Sequence, residues 1–155
     1  MTTAGKVEAI YLAGAAGEDM FAVNEAYSIP GMGLKGDRYW RQAGTWSKRS
    51  PDRDLTLIDT AVLRKLESEF GIALTPGEHR RNIETSGIAL EPLIGQTFSI
   101  GPVRLLGVRV CNPCAYLEQL TGKKGLLKGL MNSGLFVRIL TEGTISVGDP
   151  VYLPD

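Results

Sequence analysis

The chain has few of the residues from which metal centres and disulfide frameworks are built. It contains two cysteines and a single histidine, His79, in 155 residues. Two thiols cannot hold a four-cysteine iron–sulfur cluster, and a structural zinc site would need carboxylates or a second subunit to complete its four ligands. The fold must therefore depend on a buried core, for which a chain of this length is sufficient.

The sequence also has no excess charge and no long apolar run. Its 17 basic and 17 acidic residues give a formal net charge of zero, so no basic field draws the domain onto nucleic acid or an anionic membrane. No apolar stretch reaches the roughly 18 residues of a membrane span, and residues 1–6 lack the apolar core of a signal peptide. We therefore expect a cytoplasmic protein whose partners include neither nucleic acid nor membrane.

No internal repeat, low-complexity tract or linker divides residues 1–155, which predicts a single domain. Short strand-like runs alternate with turns at intervals of about 8–12 residues, a pattern typical of barrels and sandwiches. The 19 glycines suit a turn-rich sheet protein better than a helical bundle. We expect a mainly β (α+β) fold, a small distorted β-barrel of mixed strands with two or three flanking helices.

The most distinct helix is predicted directly after the strand-like run 55–58. Asp59 is a favourable N-cap residue. Apolar residues at four-residue spacing follow it as far as Gly71, a residue type that commonly ends helices. Immediately before this strand, the basic and Gly/Ser/Pro-containing stretch 41–53 is predicted to be a mobile surface loop.

The two cysteines occur together in the motif Cys-Asn-Pro-Cys at residues 111–114. The motif follows a strand-like run, 103–110, and precedes a helix-like run, 115–120. Free backbone N–H groups at such a junction favour a thiolate, which can act as a nucleophile or a metal ligand. The residues alone also allow a redox disulfide, half of a zinc site, or two semi-buried cysteines that pack as small hydrophobic side chains.

Two polar clusters are further candidates for a binding site. In the first, Asp37 can orient a ligand or a neighbouring arginine, and Arg38 can bind an oxyanion; the alternative is a turn aspartate beside a solvated arginine. In the second, Arg80, Arg81 and Asn82 place guanidinium groups where they can clamp a phosphate. Strand alternation predicts that only one of these two arginines faces the site, and the alternative is a solvated charge run. We interpret His79 as an ordinary surface residue.

Taken in order, these segments resemble the MOSC domain, the C-terminal module of molybdenum-cofactor sulfurases. The resemblance extends from about residue 7 to residue 153. It depends on the order and spacing of several segments together with the late cysteine, and the matching segments are residues 33–39, 57–59, 81–88, 93–101, 113–114 and 143–149.

The resemblance implies a barrel-type fold that binds the pterin-based molybdenum cofactor. Cys114 matches the family's cysteine, which implies that it is both the ligand to molybdenum and the catalytic residue; a soft thiolate suits that metal. Arg81 and Asn82 are implied to contact the pterin phosphate. Asp37 and Arg38 match a family signature and are implied to shape the pocket.

The resemblance also implies an activity, the reduction of N-hydroxylated compounds such as amidoximes with electrons from a separate redox protein. Two alternatives belong to other functional classes. In one, Cys114 carries a persulfide sulfur that a cysteine desulfurase supplies for cofactor or metal–sulfur assembly. In the other, the domain is a non-catalytic module that recognises a small anion or a protein partner.

Overall fold

A barrel of seven strands forms the centre of the molecule. The computed structural model describes residues 2–15, 17–38, 40, 54–113 and 115–153, and both Cys114 and the predicted mobile loop 41–53 lie outside the described residues. The strands are β1 (Thr2–Leu12), β2 (Phe21–Val23), β3 (Glu25–Ile29), β4 (Gly33–Leu34), β5 (Leu55–Asp59), β6 (Ile83–Ser86), β7 (Thr97–Ile100), β8 (Val103–Cys111), β9 (Gly134–Ile139), β10 (Gly143–Ser146) and β11 (Pro150–Leu153).

The barrel closes because β11 pairs with both β7 and β1, which completes the order β1-β11-β7-β8-β9-β5-β6-β1. Strands β5 and β6 are parallel, whereas the other pairs in the barrel are antiparallel. Strand β2 extends the sheet beyond β1, and β10, β3 and β4 form a small second sheet. The expectation of a mainly β fold with a distorted, mixed barrel is therefore confirmed.

Three α-helices flank the barrel in the described part of the chain: α1 (Thr60–Phe70), α2 (Ala115–Thr121) and α3 (Leu126–Gly129). A 3-10 turn spans Glu91–Leu93. Among the described residues no helix is both long enough and apolar enough to cross a membrane.

The predicted first helix is confirmed at both ends. The Asp59 carboxylate accepts a hydrogen bond from the Ala61 backbone N–H at 3.0 Å, which satisfies one of the unpaired donors of the first turn. Gly71 ends the helix with φ 66°, a left-handed conformation that glycine adopts without a steric penalty.

Two apolar cores hold these elements together. The larger core fills the barrel, because alternate side chains of each strand point inward. Its largest fully buried members are Ile10, Leu34, Leu55, Leu57, Ile83, Ile100, Leu105 and Leu135. The smaller core lies outside β5 and joins the three helices, through Ile58, Leu66, Leu117, Leu126 and Leu130. This second core attaches α2, the helix that follows the cysteine motif, to the barrel wall.

The cap of α1 provides a direct test of this local structure. Asp59→Ala removes the acceptor for the Ala61 N–H, so we expect the free energy of unfolding to fall by about 1 kcal/mol. Ser68→Ala, at an exposed position of the same helix, is the matched control and should stay within about 0.5 kcal/mol of the wild type. Equal losses in urea denaturation of the two variants would contradict the capping role.

Candidate functional site

The two-cysteine motif lies at a junction between a strand and a helix, as predicted. Cys111 is the last residue of β8, and α2 begins at Ala115. Cys111 is buried, and the side-chain oxygen of Asn112 accepts a hydrogen bond from the Asn132 backbone N–H at 2.7 Å. We call residues 111–114 the cysteine segment. Because Cys114 lies outside the described residues, the roles assigned to it stay predictions.

Arg81 connects the cysteine segment to the chain just before β6. Its Nη2 donates to the Cys111 carbonyl oxygen at 3.0 Å, and its Nη1 donates to the His79 carbonyl oxygen at 3.4 Å. The residue is 7% exposed. A predicted anion-binding arginine is therefore buried directly against the first residue of the cysteine segment.

The positive charge of Arg81 is not neutralised within the described part of the chain. Its guanidinium meets two carbonyl oxygens, no ion pair joins it to a carboxylate of a described residue, and its buried Nε has no hydrogen-bond partner there. A buried cation without a counter-ion costs several kcal/mol. This arrangement favours an anionic group beside Arg81.

Gly134 makes this close packing possible. A Cβ at this first residue of β9 would lie 2.6 Å from the Cys111 carbonyl oxygen and 2.7 Å from Arg81 Nε. Both separations are shorter than van der Waals contact. The absence of a side chain at position 134 is therefore a condition for the contact between Arg81 and the cysteine segment.

Asp37 and Arg38, which follow β4 in the chain, contact the backbone next to Arg81. One carboxylate oxygen of Asp37 accepts hydrogen bonds from the Ala13 backbone N–H at 3.0 Å and from Arg38 Nη1 at 3.2 Å. Arg38 Nη2 donates to the Arg80 carbonyl oxygen at 2.8 Å. Both side chains are buried, so the alternative of a solvated arginine is wrong; Asp37 orients Arg38, and Arg38 supports the backbone just before Arg81.

Asn82 is buried among three strands. Its Nδ2 donates to the Tyr11 carbonyl oxygen at 3.1 Å, and its Oδ1 accepts from the Thr56 backbone N–H at 3.0 Å and from the Thr56 hydroxyl at 3.2 Å. These bonds join β1 and β5 at the start of β6. The observed role of Asn82 is to fix the barrel next to Arg81, and its predicted contact with a phosphate stays a prediction.

The interpretation of His79 as a surface residue is wrong, because its side chain is 1% exposed. Its Nδ1 accepts a hydrogen bond from the Arg81 backbone N–H at 2.9 Å, and its Nε2 lies 2.8 Å from Glu84 Oε2.

We call residues 79–82 the arginine turn. The two arginines in it have different partners, since Arg80 Nη1 donates to the Glu18 carbonyl oxygen at 2.6 Å. Strand alternation does not cause this difference, because both arginines precede β6 and Arg80 has a positive φ of 63°.

Tyr11 packs against the His79 ring. The two rings meet edge to face, with centroids 5.5 Å apart and planes at 76°. Burial raises the pKa of the Tyr11 hydroxyl to about 12, and the charge of Glu84 and a hydrogen bond to it act in the same direction. Glu84 therefore interacts with both His79 and Tyr11.

The sequence analysis missed His79, Glu84 and Gly134. A lone histidine carries no spacing signal, and Glu84 becomes its partner only because a turn folds the chain back. Gly134 precedes a strand-like run as an ordinary glycine, so its contact with Arg81 is visible only in the fold. The structure does bring Asp37, Arg38, Arg81 and Asn82 together around the arginine turn.

A cleft of about 290 Å³ lies beside the arginine turn, between the preceding loop and the end of α2. Its lining includes Met20, Gly77, Glu78, Leu120 and Thr121. The sulfur of Met20 is 3.2 Å from Arg38 Nη1, so the cleft borders the site. A larger cavity of about 510 Å³ lies against β7, β8 and β11, and none of the predicted site residues lines it. Within the described residues, no three His, Cys, Asp or Glu side chains are grouped as metal ligands would be.

Comparisons with known proteins agree with this architecture. The sequence model of the MOSC domain matches residues 44–152, and the chain belongs to the MOSC domain family. No curated protein matches the chain in sequence.

Solved structures share the fold at low sequence identity. The YUAD protein of Bacillus subtilis is 17% identical with a TM-score of 0.78, over 95% of this chain and 93% of that chain. YiiM from Escherichia coli is 18% identical with a TM-score of 0.66, over 97% of this chain and 70% of that chain. YiiM from Geobacillus stearothermophilus is 22% identical with a TM-score of 0.60, over 67% of this chain and 55% of that chain. At these identities the similarity shows the fold.

The contact around Gly134 is testable by adding one methyl group. Gly134→Ala forces Arg81 and Cys111 apart, so we expect the free energy of unfolding to fall by about 1–3 kcal/mol. Gly14→Ala is the matched control, because its new Cβ would meet only the flexible end of the Glu18 side chain at 3.1 Å. A Gly134→Ala variant as stable as Gly14→Ala in chemical denaturation would contradict the close packing.

The raised pKa of Tyr11 predicts a loss of stability at high pH. An unfolded tyrosine loses its proton near pH 10, whereas Tyr11 in the folded protein keeps it until about pH 12. The folded state thus binds more protons in this interval, and the free energy of unfolding falls as the pH rises. We expect a shallower fall in Tyr11→Phe, measured by denaturant titration at several pH values; an identical slope would show that Tyr11 is not perturbed.

Proposed function

We propose that this MOSC domain binds the phosphorylated, pterin-based molybdenum cofactor, with Cys114 as the protein ligand to molybdenum, and reduces N-hydroxylated compounds. The observation that supports the proposal is the buried guanidinium of Arg81, which lacks a carboxylate partner among the described residues and contacts the cysteine segment. An anion at this place would supply the missing counter-charge.

The residues present fit such a group. Arg81 has a planar guanidinium, whose donors match the oxygens of a phosphate better than an ammonium does. It is fixed by the Cys111 and His79 carbonyl oxygens before any ligand binds. A fixed donor loses little conformational entropy on binding, which increases affinity.

Asp37 and Arg38 would act on the site indirectly. Arg38 is held by Asp37 and donates to the Arg80 carbonyl oxygen, so the pair fixes the backbone from which Arg81 extends. The next residue, Asn82, is held by hydrogen bonds to β1 and β5. The proposal therefore assigns the anion contact to Arg81 and requires no direct contact from Asn82.

The cysteine segment would supply the second attachment. A thiolate at Cys114 is a suitable soft ligand. Cys111, three positions earlier, is buried at the end of β8, where its carbonyl oxygen binds Arg81. The bound group would supply two-electron redox chemistry, and a separate redox protein would supply the electrons.

The proposal predicts the metal content of purified protein from a host that makes the cofactor. The wild type should hold molybdenum and a fluorescent pterin near one equivalent, and Cys114→Ser should lose most of the molybdenum because it loses the thiolate ligand. Cys111→Ser is the matched control and should retain more metal, since Cys111 contributes through its backbone carbonyl. The measurements are elemental analysis and pterin fluorescence, followed by an amidoxime reduction assay with a chemical electron donor.

Two results would contradict the proposal. Equal molybdenum in the wild type and Cys114→Ser would remove Cys114 as the ligand. A wild type without metal, whose Cys114 gains one sulfur atom on incubation with a cysteine desulfurase and cysteine, would instead indicate a persulfide carrier. Thermal melting of each variant shows whether a loss of metal reflects a loss of fold.

A further inference from the structure

We propose that His79 is a positioning residue for this site: by accepting the Arg81 backbone N–H, it sets the direction in which the Arg81 guanidinium meets the Cys111 carbonyl oxygen. The effect on cofactor binding rests on the proposed function, whereas the effect on the geometry of the cysteine segment does not.

The arginine turn needs outside support because its backbone is strained. Arg80 has φ 63°, a left-handed conformation that costs a non-glycine residue of the order of 1–2 kcal/mol. Hydrogen bonds on both sides hold it there. Among them are those from Arg38 Nη2 to the Arg80 carbonyl oxygen, from Arg80 Nη1 to the Glu18 carbonyl oxygen, and from the Arg81 N–H to His79 Nδ1. The bond between the Arg81 N–H and His79 Nδ1 fixes the direction of the backbone between Arg80 and Arg81.

The bond from the Arg81 N–H to His79 Nδ1 links a side chain to the backbone two residues later. Asparagine and aspartate side chains commonly make the same link in Asx turns. Since Nδ1 is an acceptor here, a neutral ring carries its proton on Nε2, which donates to Glu84 Oε2 at 2.8 Å. Tyr11 packs against the ring edge to face. The ring is therefore held at both nitrogens and at one side.

Two hydrogen bonds fix the Arg81 guanidinium, and one of them reaches the cysteine segment. Nη1 returns to the His79 carbonyl oxygen, and Nη2 donates to the Cys111 carbonyl oxygen. On the side that faces Gly134 the guanidinium has no room to move, because even a Cβ there would overlap Arg81 Nε. A change in the backbone direction at Arg81 must therefore displace Cys111 or break its hydrogen bond.

Two substitutions at position 79 separate positioning from simple packing. In His79→Asn, the amide oxygen takes the place of Nδ1 and can accept the Arg81 N–H as an Asx turn, but the shorter side chain loses Glu84. His79→Leu keeps a bulky buried side chain and has no acceptor. We expect the asparagine variant to retain the site and the leucine variant to lose it.

The first readout is the 15N chemical shift of the Arg81, Cys111 and Asn112 backbone amides in protein without cofactor. These shifts should stay near wild-type values in His79→Asn and move in His79→Leu. The second readout is molybdenum content after expression in a cofactor-producing host. We expect His79→Asn to remain within about twofold of the wild type and His79→Leu to fall about tenfold, the usual effect of losing a residue that orients a ligand-binding group.

Ile145→Ala is the control for general destabilisation, because Ile145 is buried on β10, a strand of the small second sheet that carries no part of the arginine turn or the cysteine segment. It should lower the melting temperature and leave the three amide shifts unchanged. Equal disturbance in His79→Asn and His79→Leu, or unmoved Cys111 and Asn112 amides in His79→Leu, would overturn the inference. The expected amide shifts together with a molybdenum-free wild type would support the positioning role and refute the proposed cofactor.

Discussion

The hydrogen bond from the Arg81 guanidinium to the Cys111 carbonyl oxygen is the interaction on which the rest of the site depends. It joins the turn before β6 to the end of β8, two places that are 30 residues apart in the chain. The guanidinium is buried and its charge is not balanced by a described carboxylate, so its burial costs free energy that the hydrogen bond to the carbonyl oxygen offsets only in part. In the proposed function, a bound anion offsets this cost.

The formal net charge of zero gives no indication of the arginines that meet near the arginine turn. Arg38, Arg80 and Arg81 all donate hydrogen bonds to carbonyl oxygens in this part of the fold, and Arg38 also forms an ion pair with Asp37. The average charge of the chain excludes a broad basic surface of the kind that binds nucleic acid. It does not exclude a small basic pocket, because opposite charges elsewhere cancel in the total.

The sequence analysis succeeded where local chemistry decides the structure. The N-cap at Asp59 and the helix end at Gly71 depend on residues within a few positions. Strand and turn periodicity predicts a barrel or a sandwich, and the family resemblance favours the barrel. It failed for His79, which was placed on the surface and is buried. Its side chain contacts Tyr11, Glu84 and the Arg81 backbone N–H. Tyr11 lies on β1, far from His79 in the chain, so this contact forms only when the barrel closes. The histidine residue itself gives no indication of it.

Spectroscopy of the metal tests the central claim most directly. X-ray absorption at the molybdenum edge reports how many sulfur atoms surround the metal in the purified protein. The account predicts a sulfur-rich shell in the wild type and one sulfur fewer in the residual metal of Cys114→Ser, with Cys111→Ser like the wild type. A wild type without molybdenum, or the same sulfur shell in the wild type and Cys114→Ser, would contradict it.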